Sequence, residues 1–123
     1  MCSRELLVAV VDDDARFRAA LVDSLCSLGY GASGFASAEE FIAANGDGSC
    51  DCLITDIHMP GMSGFDLGRL IAARRSEVPV IMITARAEAG LETRAVANGA
   101  AFVLTKPFAT DALIACLERA LKV

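Results

Sequence analysis

The sequence predicts a doubly wound α/β sandwich, with helices covering both faces of a five-stranded parallel sheet. Three observations lead there. Continuous apolar runs of strand length recur at 6–11, 52–55 and 80–84, as parallel strands buried on both faces require. Stretches with helical spacing lie between them. The polar groups Asp12-Asp13-Asp14, Asp56, Thr84 and Lys106 fall where strands end, at the rim where such folds build their sites.

The first strand, 6–11, runs into the three aspartates. Phe17, Leu21, Leu25 and Leu28 then recur at helical spacing and predict a helix over about 15–28, with Asp14 as its N-cap and Gly29 as its stop. A weaker strand at 31–35 leads to Ser37-Ala38-Glu39-Glu40, which resembles a capping box opening a short helix to about Ala44, broken by Asn45-Gly46-Asp47-Gly48. After the strand at 52–55, a third helix follows Ser63 and ends near Arg75, ahead of Pro79. The strand at 80–84 precedes a fourth helix over roughly 91–97, stopped by Asn98-Gly99; 102–105 is the last strand and about 110–121 the last helix. Right-handed crossovers between parallel strands give the flavodoxin-like strand order 2-1-3-4-5. No repeat or linker interrupts the pattern, and the last helix ends almost at the C-terminus. The expectation is one domain over 1–123, with no output domain in this chain.

Composition narrows the function classes. With 123 residues, 54% of them apolar, one core accounts for the chain. A net charge of −5 argues against direct nucleic-acid binding, which needs clustered Lys and Arg. The cysteines, Cys2, Cys26, Cys50, Cys52 and Cys116, are odd in number and lack the paired spacing of a zinc site, so they read as reduced and mostly buried. The run at 6–11 is too short to span a bilayer. Without a transmembrane helix or a signal peptide, the expected location is the cytoplasm.

The strand ends carry the chemistry. Asp12, Asp13 and Asp56 brought together repel one another unless a divalent cation is present or a proton is retained. An oxygen-only cluster suits Mg²⁺. One carboxylate can then attack a phosphoryl donor to give an aspartyl phosphate, with the Lys106 ammonium and the Thr84 hydroxyl on the phosphoryl oxygens. A triple aspartate seen alone is more often a solvated turn. Its place at the end of a buried strand, with Asp56 and Lys106 at matching ends, reverses that balance.

Together, Asp12-Asp13, the run Leu53-Ile54-Thr55-Asp56-Ile57-His58-Met59-Pro60-Gly61-Met62-Ser63-Gly64, the pair Thr84-Ala85, and Lys106-Pro107-Phe108 resemble the receiver domain of two-component response regulators over essentially the whole chain. The stretch Phe35-Ala36-Ser37-Ala38-Glu39-Glu40-Phe41 is similar to the receivers of FixJ-like transcription regulators. The resemblance implies that Asp56 is the phosphoacceptor, Asp13 a direct Mg²⁺ ligand, Asp12 the second acid, the His58 backbone carbonyl a third protein ligand, Thr84 the switch hydroxyl and Lys106 the phosphate-contacting lysine. It implies a cis Lys106-Pro107 bond, a sensor histidine kinase as donor, and an output domain or effector as recipient of the signal. It also implies a surface on the fourth helix, fifth strand and fifth helix, including Arg94, Val103, Lys106, Ala112, Cys116 and Arg119, that serves an effector or a phosphorylation-dependent homodimer. The chain would be a regulatory domain that takes part in its own phosphorylation and dephosphorylation, with His58 and Arg86 tuning phosphate lifetime.

One position departs from the family pattern: Val103 stands where receivers carry Tyr or Phe three residues before the lysine, and alternation sends the neighbouring Phe102 to the opposite side. Two other functions compete. An aspartyl-nucleophile phosphatase needs a second acid two residues after the nucleophile, where His58 stands. A phosphorylation-independent interaction module would be signalled by loss of Asp56, Asp13 or Lys106, and all are present. No GxxxxGK[ST] or GxGxxG sequence supports nucleotide binding.

Overall fold

Alternation along the strands sorts the apolar residues into two layers. The computed structural model describes residues 6–74, 77–86 and 88–121. Strands β1 (Leu7–Val11), β2 (Gly31–Phe35), β3 (Cys52–Asp56), β4 (Val80–Thr84) and β5 (Phe102–Thr105) form one parallel sheet in the order β2-β1-β3-β4-β5. That is the order expected from the sequence. Helices α1 (Ala15–Ser27), α2 (Ala38–Ala43), α3 (Gly64–Ala73), α4 (Leu91–Ala97) and α5 (Thr110–Leu121) connect and follow the strands. A short 3₁₀ turn, Gly46–Gly48, occupies the predicted break after α2.

One layer unites Val8, Val10, Ile54, Ile81 and Ile83 with Leu21 and Leu25 of α1 and Leu113 and Leu117 of α5. On the other face, Ala9, Val11, Leu53 and Met82 meet Phe41 of α2, Leu67 and Ile71 of α3, and Leu91 and Ala95 of α4. Every residue of the central strands β3 and β4 is buried. Each large aliphatic side chain so placed contributes roughly 1.5–3 kcal/mol of transfer free energy. The sheet is thereby a rigid frame for whatever extends from its ends.

Helix entry follows local chemistry. The Asp14 carboxylate accepts from the amides of Arg16 and Phe17 at 3.1 and 3.2 Å, as the predicted N-cap of α1. Ser37 caps α2 through the Glu40 amide, and a full capping box forms at α3 between Ser63 and Asp66. Helix α3 ends at Ala73 with Arg74 as its C-cap. Arg75, where the sequence pattern placed that end, and Cys2 lie outside the described residues.

The cysteines correct one expectation. Only Cys52 is buried among the described ones, whereas Cys50 and Cys116 are half-buried and Cys26 is exposed. Leu21 and Leu25 hold the inward face of α1, and the residue after Leu25 is turned by a helical step toward solvent. None of these four described cysteines is joined in a disulfide, as expected. Among the described residues no helix is long and apolar enough to cross a membrane.

Candidate functional site

The sheet order reverses between β1 and β3, and their pairing sets Val11 beside Thr55. The next residues, Asp12 and Asp56, therefore leave the sheet side by side. Carboxylate oxygens of Asp12, Asp13 and Asp56 lie within 4.8 Å of one another. Asp12 is fully buried, Asp56 is 7% exposed and Asp13 faces solvent. Asp12 is fixed on several sides: Oδ1 accepts from the Asp14 amide at 2.9 Å, Oδ2 from Lys106 Nζ at 2.9 Å, and its backbone carbonyl from Arg18 Nη1 at 2.7 Å. Lys106 extends from the end of β5, so its ammonium crosses the rim to reach the end of β1.

Burial pushes the Asp56 carboxyl up to about 6, with the charge of Asp12 next in importance and Asp13 adding to it; Lys106 and the Ile57 amide oppose the rise. Three carboxylates facing one ammonium leave an excess of negative charge in a largely buried place. The exposed Asp13 keeps one side of the cluster open to water. Hard oxygen donors with an open side and uncompensated charge fit Mg²⁺, which retains water ligands.

Thr84 is buried at the end of β4, and its hydroxyl is engaged by its own loop: it accepts from the Arg86 amide at 3.0 Å and donates to the Arg86 carbonyl at 3.2 Å. The hydroxyl therefore stands at the predicted rim but is tied to the β4–α4 loop. His58, two residues beyond Asp56, is exposed and lines an open cavity of about 460 Å³ with Met59, Pro60, Phe65 and Arg94. The Lys106-Pro107 peptide is cis, as the family resemblance implied.

The loop after β3 is held by two contacts. A Cβ on Gly64 would lie 2.4 Å from the Asp56 carbonyl oxygen, so this glycine permits α3 to begin against the backbone of the site. From α2, Glu39 Oε2 accepts the Met62 amide at 3.0 Å, and this bond holds the Glu39 carboxyl below the usual carboxylate range. Sequence reasoning missed Glu39, Arg18 and Phe17 as neighbours of the site. Glu39 and Phe17 act across elements remote in sequence, Arg18 reaches back six residues to the Asp12 carbonyl, and only the N-cap at Asp14 signalled that the first turn of α1 sits over the rim.

On β5 the alternation expected from the sequence is observed: Val103 packs toward α3 and α4, Phe102 toward α5. An open cavity of about 520 Å³ lies on the α4–β5–α5 face, lined by Thr93, Val96, Phe102, Val103 and Cys116 among others. Two residues assigned to this face from the sequence are directed elsewhere. Arg94 stacks its guanidinium 4.6 Å from the Phe65 ring centroid on α3, and Lys106 pairs with Asp12. Both cations find partners within the domain: Arg94 stays exposed but leans toward α3, and Lys106 turns in to the rim.

Comparison with known proteins agrees with this geometry. The family model of the response regulator receiver domain matches residues 8–118. The chain is 34% identical over 122 residues to the response regulator protein TmoT of Ectopseudomonas mendocina, covering 99% of this chain and 56% of the relative. It is 35% identical over 115 residues to the transcriptional regulatory protein FixJ of Bradyrhizobium diazoefficiens, covering 94% and 56%. The chain thus spans about half the length of the curated relatives it matches. The crystal structure of FixJ-N superposes with a TM-score of 0.88 at 32% identity, over 98% of this chain and 96% of that one. Fold, match and identity converge: the chain belongs to the receiver-domain family of two-component response regulators.

Proposed function

We propose that this domain accepts a phosphoryl group from a sensor histidine kinase onto Asp56 and passes the signal to an output domain or effector protein. The observation that carries the reading is the convergence of Asp12, Asp13 and Asp56 with the Lys106 ammonium at one sheet edge. In the transfer, an ionised Asp56 oxygen forms a bond to phosphorus while the bond from phosphorus to the donor histidine nitrogen breaks. The bonding electrons leave with that nitrogen. Mg²⁺, held by Asp12, Asp13, Asp56 and the His58 carbonyl, would supply neutralisation of charge on the phosphoryl oxygens. Lys106 contributes a second positive charge to those oxygens, and Thr84 a hydroxyl donor once it leaves Arg86.

That release of Thr84 is the switching step in this reading. Its two bonds to Arg86 tie the hydroxyl to the loop before α4, so drawing Thr84 toward a phosphoryl group moves the loop. Val103 leaves this motion without the large aromatic partner common in the family. The output is a transcription-regulating segment, a reading supported by relatives such as FixJ that are named as transcriptional regulators and are about twice as long as the aligned part. A phosphorylation-dependent homodimer through the α4–β5–α5 face fits the same scheme. The domain works in the cytoplasm as a regulatory unit over 1–123, with no turnover substrate and no direct hold on nucleic acid.

Intact mass after incubation with Mg²⁺ and acetyl phosphate tests the reading. A labile gain of one phosphoryl group in the native chain and none in Asp56→Asn is the expected result. No gain in the native chain, under conditions where Mg²⁺ binds, would favour the phosphorylation-independent interaction module.

A further inference from the structure

We infer that Phe17 is a positioning residue for Lys106, holding its ammonium at the rim for phosphoryl transfer; the inference rests on the function proposed above. Lys106 Nζ lies 4.0 Å from the centroid of the Phe17 ring, while the same ammonium donates to Asp12 Oδ2 at 2.9 Å. The ammonium is thus held between a carboxylate and an aromatic face. The lysine side chain is only 16% exposed. A cation over a ring face is attracted by the ring quadrupole, more strongly as water is excluded.

The ring is itself held in place. Phe17 stands in the first turn of α1, where its amide is capped by Asp14 at 3.2 Å. Phe108 braces it edge-on, with ring centroids 6.0 Å apart and planes at 85°. Phe108 belongs to the segment that follows the cis Lys106-Pro107 bond, so the lysine and the brace of its ring come from one turn of chain. Phe17 also packs against the α1–α5 layer of the core. Leucine would fill much of that packing space and offer no π face. A lysine stem has four flexible carbons, and without the ring the one direct contact left to the ammonium among the described residues is Asp12.

The test separates positioning from packing. Rates of phosphoryl gain from acetyl phosphate at saturating Mg²⁺ are measured for the native chain, Phe17→Leu, Phe17→Trp, Lys106→Met and Phe17→Leu with Lys106→Met. Phe17→Leu should slow the reaction about three- to tenfold, the range expected for one cation–π contact. Phe17→Trp should restore the rate, and Phe17→Leu should cost nothing further once Lys106 is Met. Equal slowing in both backgrounds would assign Phe17 to packing and overturn the inference. Proton NMR of Lys106 gives a readout independent of the reaction and of the variants' stability. Its ε-methylene protons should be shifted upfield by the ring in the native chain, and unshifted ε protons would overturn the contact. A native chain that takes no phosphoryl group, with the upfield shift present, would overturn the proposed function and the inference with it; loss of coupling in a chain that is phosphorylated normally would overturn the inference alone.

Discussion

Asp56 is where burial and charge act against the ionised carboxylate that the proposed transfer would use. Its carboxyl stands at about 6 in the folded domain against an ordinary 3.8. Between those values the folded chain keeps a proton that the unfolded chain has lost. The stability this group contributes is therefore fully present below about pH 4 and is lost as the pH rises through about 6. In chelator, the urea midpoint should fall between pH 5 and pH 7.5, and Asp56→Asn should make that fall shallower by on the order of 2 kcal/mol. Millimolar Mg²⁺ at pH 7.5 should return stability to the native chain by binding the folded state, and much less to Asp13→Asn. A native chain whose stability is flat over this range in chelator would contradict the electrostatic account of the site.

Elements hold the site as much as residues do, and the loop between β3 and α3 shows how. Gly64→Ala would drive a Cβ to 2.4 Å from the Asp56 carbonyl oxygen and 2.8 Å from the Ile57 Cα, atoms of a fully buried strand end that cannot retreat. Urea unfolding should show a loss of at least about 1–3 kcal/mol. Across the same loop, Glu39→Ala should speed hydrogen exchange of the Met62 amide, whereas Glu39→Gln keeps an accepting oxygen and should change it little. Because that bond holds the Glu39 carboxyl below its ordinary value, native protection at Met62 should persist through the usual carboxylate range and fail only at lower pH. Equal protection in all three proteins would show that Glu39 does not hold the loop.

These elements were unequally legible. Strands β3 and β4 declare themselves because both their faces are apolar, whereas β2, with the poor strand sequence Gly-Ala-Ser-Gly-Phe, gave the weaker signal. The opposite destinations of Phe102 and Val103 followed from strand alternation alone. The exposure of Cys26 was missed because the cysteines were read by residue type, whereas the spacing of Leu21 and Leu25 that marks the inward face of α1 already turns Cys26 outward.

For the whole molecule, topology converts sequence positions into a site. Acids separated by most of a βαβα stretch become neighbours because the sheet order reverses between β1 and β3. That rule made Asp12, Asp13 and Asp56 legible as a cluster, and Lys106 as a member of the same rim. The partners Lys106 takes there were not legible. Its hold on Asp12 and on the Phe17 ring depends on the path of a side chain across the rim, and no periodicity encodes that path. The contact of the exposed Arg94 with the Phe65 ring was not legible for the same reason.

The central claim is that Asp56 carries the phosphoryl group, and chemical trapping tests it most directly. An acyl phosphate is reduced by borohydride to an alcohol, so a phosphorylated aspartate becomes homoserine and can be located by peptide mapping. After treatment with Mg²⁺ and acetyl phosphate, homoserine should be found at position 56 and nowhere else. Homoserine at position 12 or 13, or none at 56 in a chain that has gained phosphoryl mass, would contradict the account.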